Sequence, residues 1–127
     1  MKTILSNDAP SPAGHYSQAI EHDGLLYVSG QLPIGPAGEV NRSGSIEDQT
    51  EQSLANLNAV LKAGGSDRDH VLKLTVYISD IELWGRVNSV LAGFFGGHKP
   101  VRTVVPTREL HFSSKIEVDA IAVIGSR

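Results

Sequence analysis

The chain has 127 residues, of which 40% are hydrophobic and 20% charged, a composition ordinary for one globular domain. Its net charge of −3 comes from scattered residues, and nucleic-acid binding is disfavoured because phosphate contacts need clustered positive charge. The absence of Cys excludes disulfides, a thiol nucleophile and zinc–thiolate sites.

Membrane and secretory segments are not indicated either. No apolar run approaches the roughly 20 residues that span a bilayer, and the N-terminus lacks the apolar core of a signal peptide. We therefore expect a single domain over residues 1–127, with no membrane partner and a cytoplasmic (or organelle-matrix) location.

The N-terminal part of the chain predicts three short strands followed by a loop. Thr3–Ser6 is a candidate edge strand. His15–Glu21 and Leu25–Gly30 are expected to form a hairpin, because the Asp-Gly pair between them suits the positive φ of a tight turn. Residues 31–44 contain two Pro and three Gly, which favour an ordered loop over a regular element.

Two amphipathic helices are predicted on either side of a half-polar strand. Ser45 is a good N-cap with acids in the turn after it, and Gly64-Gly65 ends the first helix. Asp80 is expected to cap the second helix, which Gly96-Gly97 stops. The predicted apolar positions are Ile46, Leu54, Leu57, Val60 and Leu61 on the first helix, Leu72, Leu74, Val76 and Ile78 on the strand, and Trp84, Val87, Leu91, Phe94 and Phe95 on the second helix.

The chain closes with two more strands, Val101–Pro106 and Ser114–Val123, joined by a polar turn near residues 111–114. Alternation makes one face of the last strand wholly apolar, as expected under helices. The other face mixes Glu117 and Asp119 with two aliphatic residues, which predicts that another subunit covers it. Two one-sided helices on one face of a single sheet indicate an α+β fold.

Arg102 and Glu117 are the strongest candidates for chemistry. An arginine among β-branched neighbours is costly unless its charge is paired or used. Two interpretations of Arg102 weigh about equally: a salt bridge, for example with Glu117, or a fork that holds a substrate carboxylate. Glu117 has the same structural alternative, and as a functional group it would orient or deprotonate a water.

Other familiar sites are not indicated. The five His form no metal-binding motif and no pair one helical turn apart. Ser29 lacks the G-x-S-x-G context of a nucleophile, and we interpret it as a strand-end serine before a glycine that a ligand can approach. No phosphate or dinucleotide fingerprint is present. Tyr16 and Asn88, taken singly, are more often packing or capping residues than ligands.

Short segments spread over the whole chain indicate one protein family when they are taken together. They are GHYSQAI (14–20), LYVSGQLPI (26–34), GEV (38–40), QSLANLNAVLKAGG (52–65), VLKLTVYISD (71–80), VN (87–88), PVRTVV (100–105) and KIEVDAIAV (115–123). In order and spacing they resemble the RidA/YjgF family of reactive-intermediate deaminases, often described as endoribonuclease L-PSP.

The resemblance implies a chorismate-mutase-like α+β fold, with a six-stranded mixed sheet and two helices on one face. It also implies a homotrimer with active sites in the clefts between subunits. The implied activity needs no cofactor: 2-imino or 2-enamino acids of the 2-aminoacrylate and 2-iminobutanoate type are hydrolysed to 2-keto acids and ammonia. Such small anionic intermediates leak from pyridoxal-phosphate dehydratases that act on serine and threonine.

The resemblance assigns roles to individual residues. Arg102 would grip the substrate carboxylate, and Glu117 would hold or activate the attacking water. Tyr16 would form the pocket wall near the imine nitrogen or the water. The implied substrate-binding positions are Ser29, Gly30, Asn88 and Val104, the last through its backbone N–H.

Three positions depart from the family pattern. Val104 stands where many members carry Cys, His15 where Pro is usual before Tyr16, and His111 where Pro commonly follows Leu110. The two histidines either line the cleft and alter the substrate range or simply sit on loops. The loop interpretation is favoured because loops tolerate change. The subgroup and the physiological substrate stay open.

Three alternatives to the small-imine deaminase remain. The first is an enamine deaminase for a larger substrate such as 2-aminomuconate. The second is a trimer that binds small carboxylates, or acts on a partner protein, without turnover. The third is a ribonuclease, which the scattered charge and the lack of a catalytic His pair disfavour. Fold does not decide among them, because function depends on the site.

Overall fold

A six-stranded mixed sheet carries both α-helices on one face. The computed structural model describes residues 1–125. The strands follow the order β1-β2-β3-β6-β4-β5, with β4 and β5 parallel and all other neighbours antiparallel. The elements are β1 (Lys2–Ile4), β2 (Ala19–His22), β3 (Leu25–Gln31), α1 (Ile46–Ala63), β4 (Val71–Ile78), α2 (Trp84–Phe95), β5 (Val101–Pro106) and β6 (Ile116–Val123). This architecture confirms the predicted α+β fold.

The hairpin between β2 and β3 turns where the Asp-Gly pair predicted. Asp23 and Gly24 have φ values of 51° and 79°, as two successive left-handed residues of a tight hairpin require. The strand before the turn is shorter than expected, because residues 15–18 lie in a loop. The buried amide of Gln18 explains the loop: it donates to the carbonyls of Ser6 and Pro10, and so ties the two N-terminal segments together.

Helix α1 forms the centre of the core. The Ser45 hydroxyl accepts a hydrogen bond from the Asp48 N–H, and Gly64 follows the last helical residue, so both predicted ends are confirmed. The helix packs on β3, β6 and α2. Its predicted apolar stripe is buried, and so are the four residues of β6 that face it: Ile116, Val118, Ala120 and Ala122.

Two predicted core positions were wrong. Leu72 is 46% exposed, because the β4–β6 ladder shifts register between Val71 and Lys73 and Val71 takes the core position. Trp84 is 43% exposed. Asp80 caps a 3₁₀ turn rather than α2, so α2 begins only at Trp84, outside the buried stripe.

One fully buried polar side chain joins three parts of the fold. The Gln49 amide on α1 donates to the carbonyls of Asn41 and Gly44, at 3.0 and 3.2 Å. Its oxygen accepts from the Lys115 N–H at the entrance to β6. The loop before α1 and the turn before β6 are therefore held by one residue, and their buried backbone groups depend on it.

We expect Gln49→Met to lower the free energy of unfolding by about 2 kcal/mol or more, because it keeps the volume but leaves buried backbone groups without partners. Urea denaturation followed by circular dichroism measures this loss. Gln52→Met is the matched control on the same helix, where the half-buried side chain donates only to Asn56. Equal losses in the two variants would contradict the account.

Candidate active site

The predicted site residues fall into two groups within one chain. Tyr16, Ser29, Gly30 and Glu117 line a cleft of about 650 Å³. Asn88 and Arg102 lie elsewhere, beside a cavity of about 470 Å³ at the β5 edge of the sheet. Neither cavity is lined by residues of both groups.

A bulge in β3 shapes the floor of the cleft. The β3–β6 register shifts between Val28 and Gln31, which releases Ser29 and Gly30 from regular pairing. Ser29 is fixed by its neighbours, since its hydroxyl donates to the Ser17 carbonyl at 2.6 Å and its N–H to the Gln18 carbonyl at 2.9 Å. Ser29 thus fixes the floor of the cleft to the loop that contains Ser17 and Gln18.

Gly30 makes room for the carboxylate. A Cβ at this position would lie 2.9 Å from Cδ of Glu117 and closer still to one carboxylate oxygen. Only a residue without a side chain lets the Glu117 carboxylate lie against the backbone here. The glycine of the Ser-Gly pair therefore has a steric role that its sequence context did not reveal.

Glu117 is a half-buried carboxylate without a partner. It projects from the β6 face opposite the helices, and no hydrogen bond or ion pair within residues 1–125 engages its side chain. Burial raises its pKa above the usual 4.5, nearby His111 opposes the rise, and Asp119 adds to it. A half-buried carboxylate with a raised pKa, bound by no group within residues 1–125, is suited to hold a water or accept a proton.

The upper wall of the cleft comes from two loops. Tyr16 is 52% exposed, and its hydroxyl accepts a hydrogen bond from the Ala13 N–H at 3.3 Å. His111 and Phe112 belong to a short 3₁₀ segment and also line the cleft. The favoured interpretation was that both unusual histidines merely sit on loops; His111 instead lines the cleft, whereas His15 is exposed and is not among the residues that line it.

Phe112 was missed by the sequence analysis. Its backbone has φ 60° and ψ 30°, a left-handed conformation that is rare for an aromatic residue. Its side chain stays 42% exposed at the cleft instead of joining the core. Nothing in the local sequence signals this conformation, because Gly and Asn are the usual residues there.

Arg102 is held by the second helix. Its Nη1 donates to Oδ1 of Asn88 at 2.6 Å, and its guanidinium lies 5.5 Å from the centre of the Trp84 ring. The side chain is exposed and no carboxylate within residues 1–125 pairs with it. The guanidinium is thus oriented, with donors left over for an anion.

Strand register separates Arg102 from Glu117. Arg102 lies opposite Leu74, and Glu117 lies opposite Tyr77. Residues three apart on one strand point to opposite faces, so the two side chains leave opposite faces of the sheet. The salt bridge between them that the sequence left open is absent within the described chain.

Val104 shares the face of Arg102. It lies opposite the buried Val76, and its side chain packs half-buried against the core. Only its backbone remains for a ligand, and β5 is the last strand of the sheet, with one edge unpaired by any other strand of residues 1–125. Its predicted role through the N–H stays a prediction.

Residues 1–125 contain neither a metal-binding cluster nor a membrane-crossing helix. No cluster of three or more His, Asp or Glu side chains is arranged to hold a metal ion. No helix in this part of the chain has the length and apolar character needed to cross a membrane.

Known proteins resemble the chain over nearly all of its length. The family model described as Endoribonuclease L-PSP matches residues 6–124. A RutC family protein of Pyrococcus horikoshii is 42% identical over 122 residues, covering 95% of this chain and 96% of that protein. The 2-iminobutanoate/2-iminopropanoate deaminase of Rattus norvegicus is 39% identical over 124 residues, covering 98% and 90%.

The fold has close counterparts among solved structures. The structure of E. coli TdcF with bound serine superimposes with a TM-score of 0.92 and 32% sequence identity, covering 98% of this chain and all of that one (100%). Sequence and structure therefore agree, and the chain belongs to the RidA/YjgF family, whose family model is named endoribonuclease L-PSP.

Proposed function

We propose that the chain is a cofactor-free deaminase that hydrolyses 2-imino and 2-enamino acids, such as 2-aminoacrylate and 2-iminobutanoate, to 2-keto acids and ammonia. The observation that carries the proposal is the half-buried carboxylate of Glu117, which lies in an open cleft and is bound by no group within residues 1–125. The name of the rat relative, 2-iminobutanoate/2-iminopropanoate deaminase, supports the reaction class.

The reaction needs little beyond positioning. Arg102, held by Asn88, would grip the substrate carboxylate with its remaining donors. Glu117 would hold a water and take its proton as the oxygen adds to the imine carbon. Glu117 then returns that proton to the nitrogen of the tetrahedral adduct, which leaves as ammonia while the adduct hydroxyl gives up its proton and becomes the keto oxygen. Tyr16 would close the wall beside the reacting nitrogen. An enamine enters the same route after protonation at carbon has made it an imine.

This mechanism requires a second copy of the chain. Because Arg102 and Glu117 leave opposite faces of one sheet, each would meet its counterpart from a neighbouring subunit. The sheet face without helices presents apolar surface for such an interface, including Tyr27 at 43% and Val101 at 67% exposure. A homotrimer with three equivalent sites between subunits, the assembly implied by the resemblance, satisfies this requirement.

A second candidate is a trimer that binds small carboxylates without turning them over. The E. coli relative TdcF has a structure with bound serine, a small amino acid with the carboxylate that Arg102 would take. In that case Arg102 would be needed for binding and Glu117 would have no chemical role.

We expect Arg102→Ala to lower imine hydrolysis by roughly 100-fold or more, because two charge-assisted hydrogen bonds of about 1.5–3 kcal/mol each are lost. The assay couples the protein to a threonine dehydratase and traps residual 2-iminobutanoate with semicarbazide. Arg108→Ala, which removes another exposed arginine, is the matched control and should keep full activity.

Native mass spectrometry of Arg102→Ala should show the same assembly as the wild type, since within residues 1–125 the guanidinium is bound by Asn88 of its own chain and its remaining donors are assigned to the substrate. Unfolding or dissociation would instead assign Arg102 a structural role. If the wild type binds 2-ketobutyrate but does not suppress trapping, the protein binds small carboxylates without turning them over.

Glu117→Gln should stabilise the protein at neutral pH. The pKa of Glu117 is higher in the folded protein than in the unfolded chain, so folding favours the protonated side chain. The free energy of unfolding therefore falls as the pH rises through the folded-state pKa and Glu117 ionises. The glutamine cannot ionise and avoids this loss. The urea midpoint of Glu117→Gln should be higher than that of the wild type at pH 8. The difference should disappear as the pH falls below 4.5, the usual pKa of a glutamate.

Glu109→Gln is the control for this measurement, because Glu109 is an exposed glutamate that does not line the cleft, and its substitution should leave the urea midpoint nearly unchanged. A Glu117→Gln variant less stable than the wild type at pH 8 would show that the carboxylate is paired in solution, against the description of the cleft.

A further inference from the structure

A second cavity adjoins the Glu117 cleft. It is partly open to solvent and has a volume of about 350 Å³, between the N-terminal loop and the Gly- and Pro-rich loop after β3. Five residues line both spaces, which makes the cavity a side chamber of the cleft: Ala13, Tyr16, Gly30, Leu32 and Phe112.

The walls of this side chamber are mostly apolar, with Ser11, Tyr16, Gln18 and Gln31 as the polar residues of the lining. Its further lining includes Pro10, Ile34, Pro36, Ala37 and Val40, and none of its lining residues is Asp, Glu, Lys, Arg or His. The two glutamines among them already donate to backbone carbonyls, Gln18 to Ser6 and Pro10 and Gln31 to Ser29. The chamber therefore favours apolar side chains, and none of the residues 1–125 that line it carries a charge to hold an ionic group.

Phe112 stands where the chamber meets the cleft. Its left-handed backbone keeps the ring at this boundary, with the His111 ring 5.9 Å away. Backbone strain of this kind persists where the surrounding structure fixes it, and an aromatic face at a pocket entrance contacts apolar ligands over a large area. The conformation thus gives the chamber an aromatic wall on the side of Glu117.

The chamber is far larger than a small imino acid needs. An apolar cavity of roughly 150 Å³ admits benzene, whereas the side chain of 2-iminopropanoate is a single methyl group. A methyl or ethyl group would leave most of the 350 Å³ to water, which a larger apolar side chain would displace from the mostly apolar walls.

We propose that the side chamber takes the substrate side chain, and that the preferred substrates are 2-imino acids with large apolar side chains, aromatic or branched aliphatic. The inference rests on the proposed function and narrows it. It also disfavours 2-aminomuconate, because no residue among 1–125 that lines the chamber offers a cation to a second carboxylate.

The test compares imino acids made in place by an amino-acid oxidase, with catalase present. The probes are the imines of alanine and of phenylalanine, and hydrolysis is followed by loss of the semicarbazide-trapped species. We expect kcat/KM for the phenylalanine-derived imine to exceed that for the alanine-derived imine by roughly tenfold or more, since each methylene that a pocket accommodates is worth roughly 10-fold or more.

Ala37→Phe is the variant that fills the chamber from its exposed rim. We expect it to lower the phenylalanine-to-alanine ratio of kcat/KM at least roughly tenfold. Ala63→Phe, at an exposed alanine near the end of α1, is the matched control and should change neither rate.

The outcomes separate this inference from the proposed function. Hydrolysis of the alanine-derived imine alone, or a phenylalanine-to-alanine ratio of kcat/KM that Ala37→Phe leaves unchanged, would contradict the role of the side chamber. Neither result would contradict the deaminase activity. Hydrolysis of neither imine by the wild type would overturn the proposed function and the inference with it.

Discussion

The alternation of side chains along β-strands is the constraint on which the account depends. It sends Arg102 toward the helix side of the outer strand β5 and Glu117 to the opposite face of the central strand β6. No rotamer change brings two groups together through a sheet. A site that uses both must therefore be built from two copies of the chain, and each copy supplies a different half.

Residues of the same chain position each of the two side chains, Arg102 and Glu117. Asn88 fixes the guanidinium of Arg102 through a 2.6 Å hydrogen bond, while the bulge at Ser29-Gly30 opens a space for the carboxylate of Glu117. Leaving a half-buried carboxylate without a partner costs stability, and the raised pKa expresses that cost. Functional sites commonly carry such uncompensated groups, because the ligand or the water completes them.

Much of this fold could be predicted from the sequence because local signals were strong. The Ser45 cap, the Asp-Gly turn and the alternation in β6 each specify one conformation, and all three are confirmed. Leu72 and Trp84 were placed wrongly because a register shift and a 3₁₀ turn are set by tertiary pairing, which periodicity does not reveal.

The site was only partly visible in the sequence. Arg102 and Glu117 could be singled out as charges on costly positions, but their separation depends on strand register between β4, β5 and β6. The contribution of Phe112 could not be foreseen, since a left-handed backbone at a phenylalanine has no local sequence signal. Gly30 was singled out as a backbone that a ligand can approach, and the structure adds a steric role beside Glu117.

The central claim is that Arg102 and Glu117 act together only across a subunit boundary. Mixing the two inactive variants Arg102→Ala and Glu117→Gln tests it directly: they are combined in equal amounts, unfolded in urea and refolded together, and assayed for imine hydrolysis. Random trimers would regain about one quarter of the wild-type activity, because each mixed trimer contains one site with both residues intact. Mixtures no more active than the separate variants would contradict the account.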